Sequence, residues 1–162
     1  MNWLRYPELV ESARAHYDRE DPKHVLMVLE PGWRHLRLHP MGEGMKLIGY
    51  ATGSQLMGTV MKNEDGGLEK IPGLLEREEI LVIQEGCFIH RYHDMRDAII
   101  SGRVRRDLPG CRIEYKIKAT MWIVIQGNYL MEELHKHFTI INIIPKEMKI
   151  MERVTDEEIR RN

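Results

Sequence analysis

The chain has 162 residues, 43% of them hydrophobic, and a formal net charge of −1. That length suits one domain able to hide roughly 70% of its extended surface, and the near-zero charge gives no long-range pull toward nucleic acid or an anionic membrane. No run approaches the roughly 20 apolar residues needed to cross a bilayer, and Met1-Asn2-Trp3-Leu4-Arg5-Tyr6-Pro7 lacks the features of a signal peptide, so the expectation is a single soluble, unprocessed domain over 1–162.

Pro7 at a first helical position, with Leu9, Val10, Ala13 and Tyr17 on one stripe, predicts an amphipathic helix over 7–18. Asp21-Pro22 breaks it. Val25-Leu26-Met27-Val28-Leu29, Pro31-Gly32 and the alternating His35-Leu36-Arg37-Leu38-His39 read as a hairpin. Short strands come next at about 45–51 and 56–62, before the turn-rich Asn63-Glu64-Asp65-Gly66-Gly67. Leu81-Val82-Ile83 opens the second half as a strand and continues into Cys87-Phe88-Ile89. A helix from Asp94 to Ser101 is then stopped by Gly102. The period-two pattern from Arg112 to Lys118 turns Ile113, Tyr115 and Ile117 toward a core. Trp122 to Ile125 is the candidate for the most deeply buried strand. Asn128 can cap a helix reaching His137, and Thr139 to Ile144 returns as a strand ended by Pro145. Met148-Lys149-Ile150 reads as an edge strand, and Thr155 with Glu158 has capping-box spacing for a last helix.

One passage occurs twice in outline. Leu81-Val82-Ile83-Gln84-Glu85-Gly86 and Ile123-Val124-Ile125-Gln126-Gly127 are each succeeded by two histidines, His90 and His93 in one copy, His135 and His137 in the other. The copies continue to Ala98-Ile99-Ile100-Ser101 and Thr139-Ile140-Ile141-Asn142. The fold expectation is therefore α+β: a mainly antiparallel sheet with two or three covering helices, and two related β-α-β units in the second half.

The histidines raise metal chemistry, since neutral imidazole is a common nitrogen ligand for transition metals. Extended positions 87 and 90 face opposite sides of a strand, and His135 and His137 share a face only if the chain is extended there. A metal site would need His90, His93, His135 and His137 to converge from both copies. The expectation is that they do not, and that no cofactor is bound. Ser12, Ser54 and Ser101 sit in no nucleophile elbow, and Gly42-Glu43-Gly44 and Thr52-Gly53-Ser54 lack the lysine and helix of a phosphate loop. Cys87 and Cys111 read as free thiols, which implies a reducing compartment.

The phrase Glu78-Glu79-Ile80-Leu81-Val82-Ile83-Gln84-Glu85-Gly86 resembles the strand-and-turn phrase of cupin jelly rolls, and Pro31-Gly32 with His35 and His39 is faintly similar to their histidine motif. The order departs from that family. About forty residues intervene and no second histidine motif comes after, so the resemblance carries no metal site to this chain.

Charge is the clearest pattern. From Glu64 to Glu85 seven acids, among them Glu76, Glu78, Glu79 and Glu85, stand against two bases. From Cys87 to Lys118 eight bases, among them Arg103, Arg105, Arg106 and Arg112, stand against four acids. The blocks can neutralise each other within one chain, join copies head to tail, or bind nucleic acid weakly through the arginines. The reading is a non-enzymatic structural or interaction protein, a homo-oligomer or assembly subunit without a membrane partner, in the cytoplasm or, if viral or phage-derived, in a virion. A metal-dependent enzyme using the histidines and a nucleic-acid-binding accessory protein are the alternatives.

Overall fold

A computed structural model of the chain describes residues 3–4, 15, 17–29, 45–126 and 132–143. Its longest apolar runs are continuous rather than alternating: Val25, Leu26 and Met27; Ile80 to Ile83; and Met121 to Ile125 are all buried. Strands buried on both faces belong to parallel sheets covered on each side, and these runs build one. They are β2 (His24–Leu29), β6 (Ile80–Gln84) and β9 (Thr120–Gln126), joined by β1 (Trp3–Leu4), β3 (Met45–Ile48) and β10 (Phe138–Ile143). The order across the sheet is β1-β10-β2-β9-β6-β3, and every pairing is parallel.

The central sheet is thus parallel, which overturns the mainly antiparallel expectation. β2 pairs with β10 on one side and β9 on the other. It has no free edge for the hairpin expected with 35–39, a stretch outside the described residues. Among the described residues antiparallel pairing is confined to two small hairpins, β4 (Gly58–Lys62) with β5 (Leu68–Pro72) and β7 (Arg103–Leu108) with β8 (Cys111–Lys116). Nor is the sheet a jelly roll, which is antiparallel throughout.

Five helical segments connect these strands among the described residues: α1 (Gly53–Met57), α2 (Leu74–Arg77), α3 (Glu85–His90), α4 (Tyr92–Ser101) and α5 (Glu132–His135). Thr52 and Gln55 form a full capping box at α1, with the Gln55 amide N–H donating to the Thr52 hydroxyl at 3.2 Å and the Thr52 N–H to Gln55 Oε1 at 2.9 Å. α1 thus occupies the start of the strand expected at 56–62. Cys87-Phe88-Ile89, expected as a strand, lies in α3, with Cys87 and Phe88 buried and Ile89 exposed. α4 ends where Gly102 takes a left-handed conformation, φ 67°.

The two similar phrases are neighbouring parallel strands, β6 and β9, but the chain continues differently after each. Ala98 to Ser101 lies in helix α4 and its counterpart Thr139 to Asn142 in strand β10, so they are not two copies of one unit. The expected alternation through β8 and the residue after it is present, with Ile113, Tyr115 and Ile117 buried, as is burial of the whole Trp122–Ile125 run. Of the helix expected over 7–18, Ala15 is helical while Tyr17 and Asp18 are not, so the helix ends earlier than expected, and its other residues lie outside the described ones; the expected elements at 148–150 and 155–158 also lie outside the described residues. No described helix is long and apolar enough to cross a membrane.

Candidate functional site

Parallel sheets present ligands with the crevice at the carboxyl ends of their strands, where connections leave in opposite directions. Here the chain leaves β2 for β3 at the far edge, returns through β6 and β9, and crosses to β10 on the other side of β2. Beside this crevice the described edge carries Gly49, Tyr50 and Ala51 after β3, and Gln84 and Glu85 at the passage from β6 into α3. The Gln84 side chain lies over Gly49, with Oε1 3.2 Å from the place of a Cβ there. Arg91 Nε donates to the Ala51 carbonyl at 2.9 Å, tying the α3–α4 junction to the end of β3. Tyr50 is 68% exposed and Cys87 is buried, its thiol pushed up by desolvation against smaller opposing contributions from the Ala51 backbone and Arg91.

The acidic block does not form one patch. Glu76, Glu78 and Glu79 precede β6 and Glu85 comes after it, so the length of the strand, roughly 15 Å, separates them. Glu76 pairs with Lys70 at 3.0 Å, and Glu78 with Arg77 at 3.3 Å and Lys46 at 3.9 Å. Glu79 is exposed, and its carbonyl accepts the Thr120 N–H at 2.8 Å.

The arginines divide by strand parity. Arg103 and Arg105, on one face of β7, both donate through Nε to Glu114 Oε1, at 3.3 and 3.2 Å. Hydrogen bonding from Arg105 chiefly holds the Glu114 carboxyl below its ordinary pKa. Arg112 pairs with Asp107 at 2.9 Å across the hairpin. Arg106 turns the other way and donates to the Gly58 carbonyl at 2.6 Å, clamping one hairpin to the root of the other. A cavity of about 480 Å³ beside β7 brings Arg103 and Arg105 near Asp94 and Asp97, a mixed rather than purely basic lining.

His90 and His93 are exposed at the α3–α4 junction, His93 with its ring edge against Tyr92, centroids 5.7 Å apart. His135 closes α5 and His137 precedes β10; the Nε2 atom of each is buried without a hydrogen-bond partner. Among the described residues no group of three or more His, Cys, Asp or Glu side chains is placed to hold a metal ion.

A second concavity, unforeseen in the sequence, lies at the opposite, amino end of the sheet. It measures about 450 Å³ and is lined by Lys23, His24, Lys116, Lys136, His137 and Thr139, together with the end of α4. His24, the first residue of β2, is 9% exposed. Its Nδ1 accepts the Met121 N–H at 3.1 Å, and its ring lies 5.9 Å from that of Phe138. Burial, with a smaller contribution from His137, lowers its pKa to about 4. No protein-family model matches the chain, and no curated protein matches it.

Proposed function

We propose that the chain is a non-enzymatic interaction protein, a subunit of a larger assembly, built on a strand order of P-loop nucleotide hydrolases without their phosphate chemistry. In chain order β2, β3, β6, β9 and β10 are first to fifth, and they lie across the sheet as fifth, first, fourth, third, second. That order is one that P-loop hydrolases use. Such a likeness is one of fold, and function resides in the site.

The carrying observation is the residue at the end of the third strand. A P-loop site needs a Gly-x-x-x-x-Gly-Lys-Ser/Thr loop whose N–H groups, lysine and hydroxyl hold phosphates and Mg²⁺, and an aspartate that completes the metal shell. Here β6 ends in Ile83-Gln84-Glu85, with a neutral amide beside Gly49. The sequence after the first strand, Glu30-Pro31-Gly32-Trp33-Arg34-His35-Leu36-Arg37, contains no Gly-Lys-Ser/Thr. The lysine and the aspartate with which P-loop sites offset the charge of a triphosphate and its metal are thus missing from their places in this sequence. The scaffold is left to work by its surfaces, among them the exposed faces of two hairpins.

The test is phosphate release from ATP and GTP with Mg²⁺, run beside a mass measurement in solution. Background hydrolysis and a mass above the 19.1 kDa of one chain are expected. Turnover above background that persists through purification, or a strict monomer that captures no partner from its native extract, overturns the proposal.

A further inference from the structure

The cleft at the amino end of the sheet has the chemistry of a small-anion site, and one proton defines its floor. His24 Nδ1 accepts a backbone N–H, so the neutral ring carries its hydrogen on Nε2. The ring is 9% exposed and fixed between β2, β9 and Phe138. It has no second partner among the described residues, which leaves the Nε2–H edge as the part a ligand can meet. A donor of set orientation on a largely buried ring costs little to organise when a ligand arrives, and it cannot be satisfied by an apolar occupant.

The rim supplies charge of one predominant sign. Lys23, Lys116 and Lys136 line the cleft against a single carboxylate, Asp21. Lys23 pairs with Asp21, and Lys116 donates to the Glu20 carbonyl, so both are held at the mouth by local contacts. Lys136 is exposed and has no ion-pair partner among the described residues. His137 adds a second imidazole, and Thr139 and Ser101 add hydroxyls. At about 450 Å³ the space suits a small molecule rather than a peptide or a nucleic-acid strand.

We infer that this cleft binds a small oxyanion, a phosphate ester or a carboxylate, through the Nε2–H of His24 on its floor and the ammonium groups of Lys23 and Lys136 at its mouth. The site is separated from the carboxyl-edge crevice by the length of the sheet, so it does not depend on whether that crevice binds nucleotide. It gives an assembly subunit a place where a small anionic metabolite biases its contacts.

The experiment is titration of the full chain with inorganic phosphate and, separately, malonate, monitored by the imidazole nitrogen and proton resonances of His24 and by thermal shift. Saturable movement of the His24 Nε2–H signal is expected with at least one anion, and which one acts separates phosphate from carboxylate chemistry. Lys136→Glu, an exposed change, should weaken binding on the order of tenfold through charge alone, and His24→Asn, which keeps an acceptor for Met121, should weaken it further. Absence of any saturable His24 shift at tens of millimolar, or binding indifferent to Lys136→Glu, overturns the inference; the second result means an adventitious ion only.

Discussion

A Cβ on Gly73 would lie 2.3 Å from the backbone nitrogen of Gly58 and 2.5 Å from the Leu56 carbonyl oxygen. The obstacles are backbone atoms at the root of the β4–β5 hairpin, where Gly58 itself has φ 100°, so no rotamer change can relieve the clash. Gly73→Ala is expected to cost about 3 kcal/mol in urea unfolding. Gly66→Ala, at a positive φ of 81° but with open space around it, should cost only about 1 to 2 kcal/mol. Equal losses would mean that close approach is not what Gly73 serves.

Tyr115 binds the same root from the other hairpin, its buried hydroxyl donating to the Met57 carbonyl at 2.9 Å while Lys70 Nζ sits 5.0 Å from the ring centroid. Tyr115→Phe leaves that carbonyl without its partner and should lower stability by about 1 to 2 kcal/mol. Burial, and secondarily Glu76, push the phenol above its ordinary pKa. The unfolded chain therefore releases this proton first, and stability should fall as pH rises above about 10, a slope that the Phe variant should lessen, leaving the part due to Tyr17, whose phenol burial also raises.

What is legible in the sequence is local. The period-two burial of β8, the stop at Gly102 and the buried Trp122–Ile125 run depend on neighbouring residues alone. Strand direction depends on partners far apart in sequence: Leu26 lies against Ile123 and Ile140. The signal for it is the unbroken apolar character of Ile80–Ile83, which implies cover on both faces; reading each turn as a hairpin hides it. α3 escapes the pattern because Cys87-Phe88-Ile89 is apolar throughout as text, while in space only the first two are buried. The charge blocks are visible, but their pairing obeys hairpin register, Arg105 opposite Glu114 and Asp107 opposite Arg112. Nothing local marks His24, whose fixing partner Met121 stands 97 positions away.

His24 should make stability depend on pH below neutrality. Its pKa falls from 6.5 to about 4 on folding, so between those values the unfolded chain binds more protons than the native one. Stability is then undiminished above about pH 6.5 and declines as pH falls toward 4. The loss is on the order of 3 kcal/mol across the window. Denaturant midpoints taken from pH 7 to 4 should show this slope, and His24→Asn should flatten it. An unchanged slope would assign the acid sensitivity to other groups.

Arg105 separates the two roles that the charge pattern allows. Its side chain is 61% exposed and shares Glu114 with Arg103, and an exposed pair of this kind, screened by solvent, contributes little to folding. Arg105→Glu should therefore lower the thermal midpoint only slightly, since the new carboxylate stands opposite Glu114 while Arg103 still holds Glu114. If the hairpin face instead meets the acids before β6 on another copy, the same reversal places like charges in that contact. The light-scattering mass should then fall while the fold persists. Glu78→Lys and Glu79→Lys added to the Arg105→Glu chain should restore part of the association, and rising salt should weaken the native oligomer. A large drop in thermal midpoint with unchanged mass would place the work of Arg105 inside the chain and remove this face from the assembly.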